Sequence, residues 1–277
     1  MAAEPWRVPE ALWREIEPLI PQPSRRARYP GRKRWDERAC LEGILYVLRY
    51  GIPWKELPRI HGFPSGKTCW RRLDEWEQAG VWALLMARLQ ARLQQANAID
   101  WQRALVDASL VSVKKGGAAT GPSPADRGRP SSKLHLCCDG RGVPLSVSVS
   151  PGNENERRQL LSLVDAIPAL RSSSSSGNGN GNRPDRLLAD RGYDSHALRA
   201  ALQQRGLEPA IAARRGRGQG GAPDPQLKQR WTIEPTNAWL HNWRRIHSRW
   251  ERRPQLYQAL LQLACSMIIC RRLAGAF

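Results

Sequence analysis

The chain has 277 residues, enough for one or two domains with cores of their own. Its 44 Lys and Arg against 25 Asp and Glu leave a net charge of +19, an excess that attracts polyanions and says little about fold. No run of about 18 apolar residues occurs, which excludes a transmembrane helix, and no membrane partner is expected.

Trp6, Pro9 and the charges at Arg7, Glu10, Arg14 and Glu15 interrupt any apolar leader core. The six cysteines, Cys40, Cys69, Cys137, Cys138, Cys265 and Cys270, contain no Cys-x-x-Cys and read as reduced thiols of a cytoplasmic protein. His135 and Cys137 fall on one face of a strand, but further zinc ligands are not evident.

Residues 1–98 read as an all-α domain. Leu12, Ile16, Leu19 and Ile20 recur at helical spacing, and residues 24–34 form a basic arm. Asp36 opens a helix carrying Cys40, Ile44, Val47 and Leu48, which Gly51-Ile52-Pro53 breaks. Trp54 to Leu57 is a short turn or helix. Ser65 caps a further helix over 66–78, Gly80 ends it, and a last amphipathic helix covers 81–95. A helix, a tight turn and a basic helix fit a helix-turn-helix, with Lys67, Arg71 and Arg72 facing the DNA groove. A helical bundle with a solvated basic face is the plainer alternative.

From residue 99 the pattern changes to a second domain that runs to 277. Strands are expected over 103–113, 132–138 and 143–149, the last two joined by the turn Asp139-Gly140-Arg141-Gly142. A helix over 156–167, a flexible Ser/Gly/Asn loop over 172–182, a strand at 186–189, a helix at 195–205 and a strand at 208–213 follow. A Gly/Arg/Pro loop covers 214–226. A long helix through Trp250 and a final apolar helix over 255–273 close the chain. Three antiparallel strands and then alternating helices and strands describe a ribonuclease-H-like α/β fold, a mixed five-stranded sheet flanked by helices. In it the first and fourth strands are neighbours.

Asp107 lies in the apolar run 104–111, Asp190 ends the run 187–190, and Glu234 lies in a basic, Trp-rich segment. Taken singly, each has a plain reading as a turn, cap or helix-terminus residue. Taken together, two strand-borne aspartates and a helix-borne glutamate can converge. Three close carboxylates raise each other's pKa, and divalent metal removes the conflict. Hard oxygen donors favour Mg²⁺ or Mn²⁺, and two such ions can steady both oxygens of a phosphoryl transfer. Trp239, Trp243, Ile246 and Trp250 recur at helical spacing as a stripe to be buried, and Glu234 stands about 140° from Trp239. His241, Arg244 and Arg245 fall off that stripe, available to phosphates or simply solvated.

Several motifs in order carry a resemblance. Gly43-Ile-Leu-Tyr-Val-Leu-Arg-Tyr-Gly-Ile-Pro-Trp-Lys-Glu-Leu-Pro58, Asp126-Arg-Gly-Arg-Pro-Ser-Ser-Lys-Leu-His135, Leu188-Ala-Asp-Arg-Gly-Tyr-Asp-Ser195 and the segment from Glu234 to Arg253 resemble bacterial insertion-sequence transposases of the insertion sequence 5 group. The similarity runs from about residue 10 to 273. It implies that Asp107, Asp190 and Glu234 are the metal-binding triad and that Arg230 is the family's signature arginine. It implies double-stranded DNA as partner, both terminal inverted repeats and target, and the pairing of two ends implies a homo-oligomer.

Departures from the pattern are Leu227 for a usual Tyr, His241 for a Lys or other polar residue, Pro235 for an Arg and Asn237 for an apolar aromatic. Asn153-Glu154-Asn155-Glu156 stands where the family has Asn-x-His-Asp. Pro235 suits a first helical turn, which starts the helix near Thr232 and puts Arg230 just outside it. Three readings stay open here: a transposase, a nuclease of the same fold, and an inactive DNA-binding derivative.

Overall fold

The computed structural model describes residues 4–22, 28, 33–170, 183–212 and 230–275. Most of the basic arm, the Ser/Gly/Asn tract, the 214–226 loop and Leu227 lie outside the described residues.

Four helices come first: α1 (Glu10–Ile16), α2 (Glu37–Tyr50), α3 (Gly66–Gln78) and α4 (Val81–Gln95). Their ends follow the local sequence. The Asp36 carboxylate accepts the N–H of Ala39 at 2.7 Å, and Ser65 Oγ accepts that of Thr68, each satisfying a first-turn donor. Gly51 stops α2 in the left-handed conformation at φ 67°.

The sheet is built from β1 (Arg103–Val113), β2 (Gly121–Pro122), β3 (Pro130–Asp139), β4 (Pro144–Pro151), β5 (Arg186–Ala189), β6 (Glu208–Ile211) and β7 (Ser248–Arg249). Helices α5 (Arg157–Asp165), α6 (His196–Gln204), α7 (Ile233–His241), α8 (Arg244–His247) and α9 (Pro254–Leu273) complete the chain. The strands run β4-β3-β1-β5-β6 across the sheet. β3 is antiparallel to β1 and to β4, whereas β5 and β6 are parallel to β1. That is the ribonuclease-H-like arrangement. Among the described residues it has seven strands and not five, because β2 extends the edge of β3 and β7 joins β1 at Ser112 and Val113.

Both faces of the sheet are covered. Asn237 and His241 of α7 bond to Asp107 and Ser109, which share one face of β1. Ser146 lies across from Cys137 and, through it, Val106, on the opposite face; its hydroxyl bonds the carbonyl of Leu163 in α5. Helix α9 is buried almost without interruption from Leu256 to Cys270, as an apolar-all-round helix must be. It packs against α4 on one side and β4 on the other. The Gln90 amide of α4 bonds the carbonyls of Pro144 and Leu145. The buried apolar side chains of the first four helices and of the sheet form one continuous cluster.

The long helix expected through Trp250 is not formed. α7 ends at His241, Trp243 takes an extended backbone (φ −82°, ψ 105°), and α8 gives way to β7. Trp243 and Ile246 are nonetheless buried, so the apolar stripe is met by a bent segment. Sheet pairing of β7 with β1 competes with the helical continuation and wins.

Candidate active site

Parallel pairing of β1 with β5 sets Leu105 beside Leu188, and two further residues in step set Asp107 beside Asp190. β5 stops at Ala189, and β7 joins the same edge of β1 only at Ser112, so a gap opens beside Asp107. Asp190 ends β5 and turns the chain. Its carboxylate accepts the N–H of Gly192 at 2.8 Å and so caps the one-turn helix Arg191–Tyr193. The segment Asp-Arg-Gly-Tyr thereby fixes Asp190 at the mouth of the gap.

Asp107 is half-buried and its carboxyl is raised above the usual range. Burial is the main cause. The negative charges of Asp190 and Glu156 add to it, while the backbone N–H of Ala108 and the Arg230 guanidinium oppose it. Asn237 Nδ2 donates to Asp107 Oδ2 at 2.8 Å. His241 Nε2 and Ser109 Oγ lie 3.0 Å apart, and burial and the neighbouring His247 lower that imidazole's pKa.

Positions 234, 237 and 241 share one face of a helix. Asn237 and His241 therefore show that the face of α7 bearing Glu234 is turned to β1. Glu234 stands one turn earlier and is exposed. Among the described residues, no three His, Cys, Asp or Glu side chains are gathered closely enough to hold a metal ion. Asp107 and Asp190 are brought together, then, and Glu234 is aligned with them but not drawn in.

Arg230 begins a 3-10 turn that runs directly into α7, and its charge reaches Asp107 and Tyr193. It lies outside the α-helix, as Pro235 led one to expect, yet it belongs to the cleft. Its Nε is buried without a partner, as are Tyr193 Oη, Asn237 Oδ1 and an Arg157 terminal nitrogen. Buried polar atoms are normally satisfied. Several unsatisfied ones around two carboxylates mark a place where polar ligands or a cation fit. Tyr193, Glu156 and Arg157 were not singled out as site residues in the sequence. The one available signal was the departure at Asn153–Glu156.

The basic residues divide by burial. Lys67 and Arg71 are exposed one turn apart on α3, and Arg244 is exposed on α8. Arg72 corrects the expectation for a groove-facing row. It is 9% exposed, its guanidinium bonding Glu37 and Glu75 at 2.8 Å each. Position 72 falls on the side of α3 that carries Leu73 and Trp76 inward, so the charge is paired within the protein. Arg245 needs the same correction. It is 3% exposed, bonded to Glu251 at 2.6 Å and to the Ile52 carbonyl at 3.0 Å. His135 is buried with its ring 2.8 Å from Ser150 Oγ; burial lowers its pKa to about 4. Burial raises Cys137 to about 12.

Residues 8–86 match a family described as "Putative transposase of IS4/5 family", and residues 102–269 match one described as "Transposase DDE domain". A Burkholderia cepacia protein described as "Putative transposase for insertion sequence element IS402" is 40% identical over 208 residues, covering 74% of this chain and 92% of that protein. A second protein of that organism, "Insertion element IS402 uncharacterized 16.2 kDa protein", is 46% identical over 118 residues, covering 42% of this chain and 80% of its own. Among solved structures, a piggyBac transposase synaptic complex with hairpin DNA aligns with TM-score 0.47 and 11% identity, over 98% of this chain and 74% of that one. The matches of residues 8–86 and 102–269 to these families and the IS402 similarity together show that the chain belongs to the IS4/5 family of DDE transposases.

Proposed function

We propose that this transposase cleaves the ends of a bacterial insertion sequence and joins the freed 3′ ends to target DNA, with Asp107, Asp190 and Glu234 as its catalytic carboxylates. The observation that carries the proposal is the side-by-side register of Asp107 and Asp190, with the Glu234 face of α7 laid over the same strand. The donor set is hard oxygen, and the Asp107 carboxyl is raised mainly by burial and further by the charges of Asp190 and Glu156, a cost that a bound cation offsets. Two divalent cations, Mg²⁺ or Mn²⁺, held by these carboxylates supply the charge that offsets the negative charge developing on the transferred phosphate.

The chain's own residues do the rest. Asp190, fixed by the Gly192 N–H, and Asp107, fixed by Asn237, form the rigid part of the site. Exposed Glu234 is the part that closes on DNA. Arg230 supplies a positive charge beside them. Hydrolysis at the element end frees a 3′-hydroxyl. That hydroxyl then attacks a target phosphodiester, one P–O bond forming as another breaks. Lys67 and Arg71 on α3, with Arg244, neutralise phosphates of double-stranded DNA at the terminal repeats and the target. Residues 1–98 serve recognition and 99–277 catalysis, in a homo-oligomer that pairs two ends in the bacterial cytoplasm. His241 is spent on Ser109 and serves α7 more than DNA.

A second reading has an observation in its favour. The Asn237 amide bond to Asp107 and the outlying Glu234 suit a DNA-binding derivative that no longer cuts. A labelled native element end, incubated with Mg²⁺ or Mn²⁺, separates the readings. Nicked and joined products from wild type, lost by about a thousandfold or more in Glu234→Gln, Asp107→Asn and Asp190→Asn, are expected for the transposase. Nicking without joining indicates a nuclease. Tight binding with no cleavage under either metal indicates the derivative.

A further inference from the structure

A fourth carboxylate reaches the same end of the sheet. β4 is antiparallel to β3, and β3 to β1, so β4 runs in the direction of β1 and β5. The chain leaving β4 therefore emerges at the same end of the sheet as the chain leaving β5. It enters α5 through Glu156, the N-cap residue, whose side chain makes no cap bond.

Gly192 records how closely this residue approaches Asp190. A Cβ on Gly192 would lie 2.8 Å from Asp190 Oδ1 and 3.5 Å from Glu156 Oε2. Any side chain there would stand between the two carboxylates. Arg157 Nε bonds the Gly192 carbonyl at 2.9 Å and ties the start of α5 to this turn. Lys133 Nζ takes Glu156 Oε1 at 3.0 Å, which leaves Oε2 toward Gly192.

A second observation points to a ligand. Tyr193 is fully buried and its Oη has no partner. The charges that act on its phenol are those of Glu156, Asp107 and Asp190, with Arg230 opposing them. A fully buried phenol oxygen without a partner, two residues from Asp190 and within the field of these carboxylates, is a polar group left for something the cleft takes up.

We propose that Glu156 is a metal-ligating carboxylate of this site, joining Asp107 and Asp190 around a divalent cation. The inference rests on the transposase reading of the site. It gives the centre an acid that is already at this end of the sheet when Glu234 is still exposed. Rotation about the Glu156 side-chain torsions, releasing Lys133, carries its carboxylate to Asp190, and Lys133 holds the charge while the cation is away.

The test is Mn²⁺ binding to the full chain, followed by electron paramagnetic resonance of the free ion. Wild type is compared with Glu156→Gln, Asp107→Asn, Lys133→Met and, as a control, Glu154→Gln. The expected result is a dissociation constant raised at least about tenfold in Glu156→Gln and in Asp107→Asn, as loss of even an outer partner of a metal gives. Glu154→Gln should match wild type, and Lys133→Met should bind as tightly or more so. A wild-type constant in Glu156→Gln, with Asp107→Asn weakened, overturns the inference and leaves the triad standing. Equal weakening in Glu156→Gln and Lys133→Met also overturns it, because the lost ion pair would then be the cause. Unchanged binding in both Glu156→Gln and Asp107→Asn overturns the reading of the site itself.

Discussion

Arg245 sits in the protein with Glu251 at 2.6 Å, its guanidinium over the rings of Trp54 and Trp250, and almost no exposure. Arg249, fully buried, bonds the carbonyls of Ala118, Ala119 and Glu251 and the hydroxyl of Ser132. Arg253 pairs with Asp74 of α3 at 2.7 Å. The basic run after Glu234 is thus largely a clamp between α7, β7, the loop after β1 and the N-terminal helices. Removing one partner of such a buried pair leaves an unpaired charge. Arg245→Met is therefore expected to cost about 3–5 kcal/mol of unfolding free energy in urea titration. The double change Arg245→Met with Glu251→Leu should recover most of it, since the charge left behind is gone. A single substitution near wild-type stability would show that Glu251 finds water instead.

Among the elements, the start of α3 is the most tightly fitted. Ser65 caps it and Gly66 passes directly beneath the 3-10 turn Trp54–Glu56, so that a Cβ at 66 would collide with the Trp54 carbonyl oxygen. That oxygen belongs to backbone and cannot swing away. Gly66→Ala is expected to lower stability by about 3 kcal/mol, measured by the urea midpoint, although alanine raises intrinsic helix propensity. An unchanged midpoint would mean that the 54–56 turn moves freely. Elements with a clear period were legible to the residue: β1 over 103–113, β5 over 186–189 and α4 over 81–95. Each is an apolar run bounded by glycine, polar residues or a cap. β7 was not legible, because two residues of strand have no period, and a helical stripe of Trp and Ile overlay them.

At the scale of the molecule, the +19 charge is unevenly usable, since Arg72, Arg245 and Arg249 are turned inward. Lys67 and Arg71 are outward. Lys67→Ala and Arg71→Ala are each expected to weaken DNA binding at all sequences and to reduce the salt slope of log K by about 1, read by fluorescence anisotropy across a salt series. Wild-type slopes in both would remove α3 from the DNA-contacting surface. Among the described residues no helix is long and apolar enough to cross a membrane. The core runs without a break from the first helices into the sheet, through α4, α9 and β4, so the two sequence segments pack as one body. By itself the sequence determined the order of the five main strands and of the helices up to Glu234, and through it the neighbouring placement of Asp107 and Asp190, because apolar periodicity and turn residues are local signals. The tertiary structure alone decided which arginines face inward, where the helix after Glu234 breaks, and that Glu156, Tyr193 and Arg230 come within each other's field at the same end of the sheet. Those depend on which distant carbonyl or carboxylate lies opposite each side chain, and no spacing along the chain encodes that.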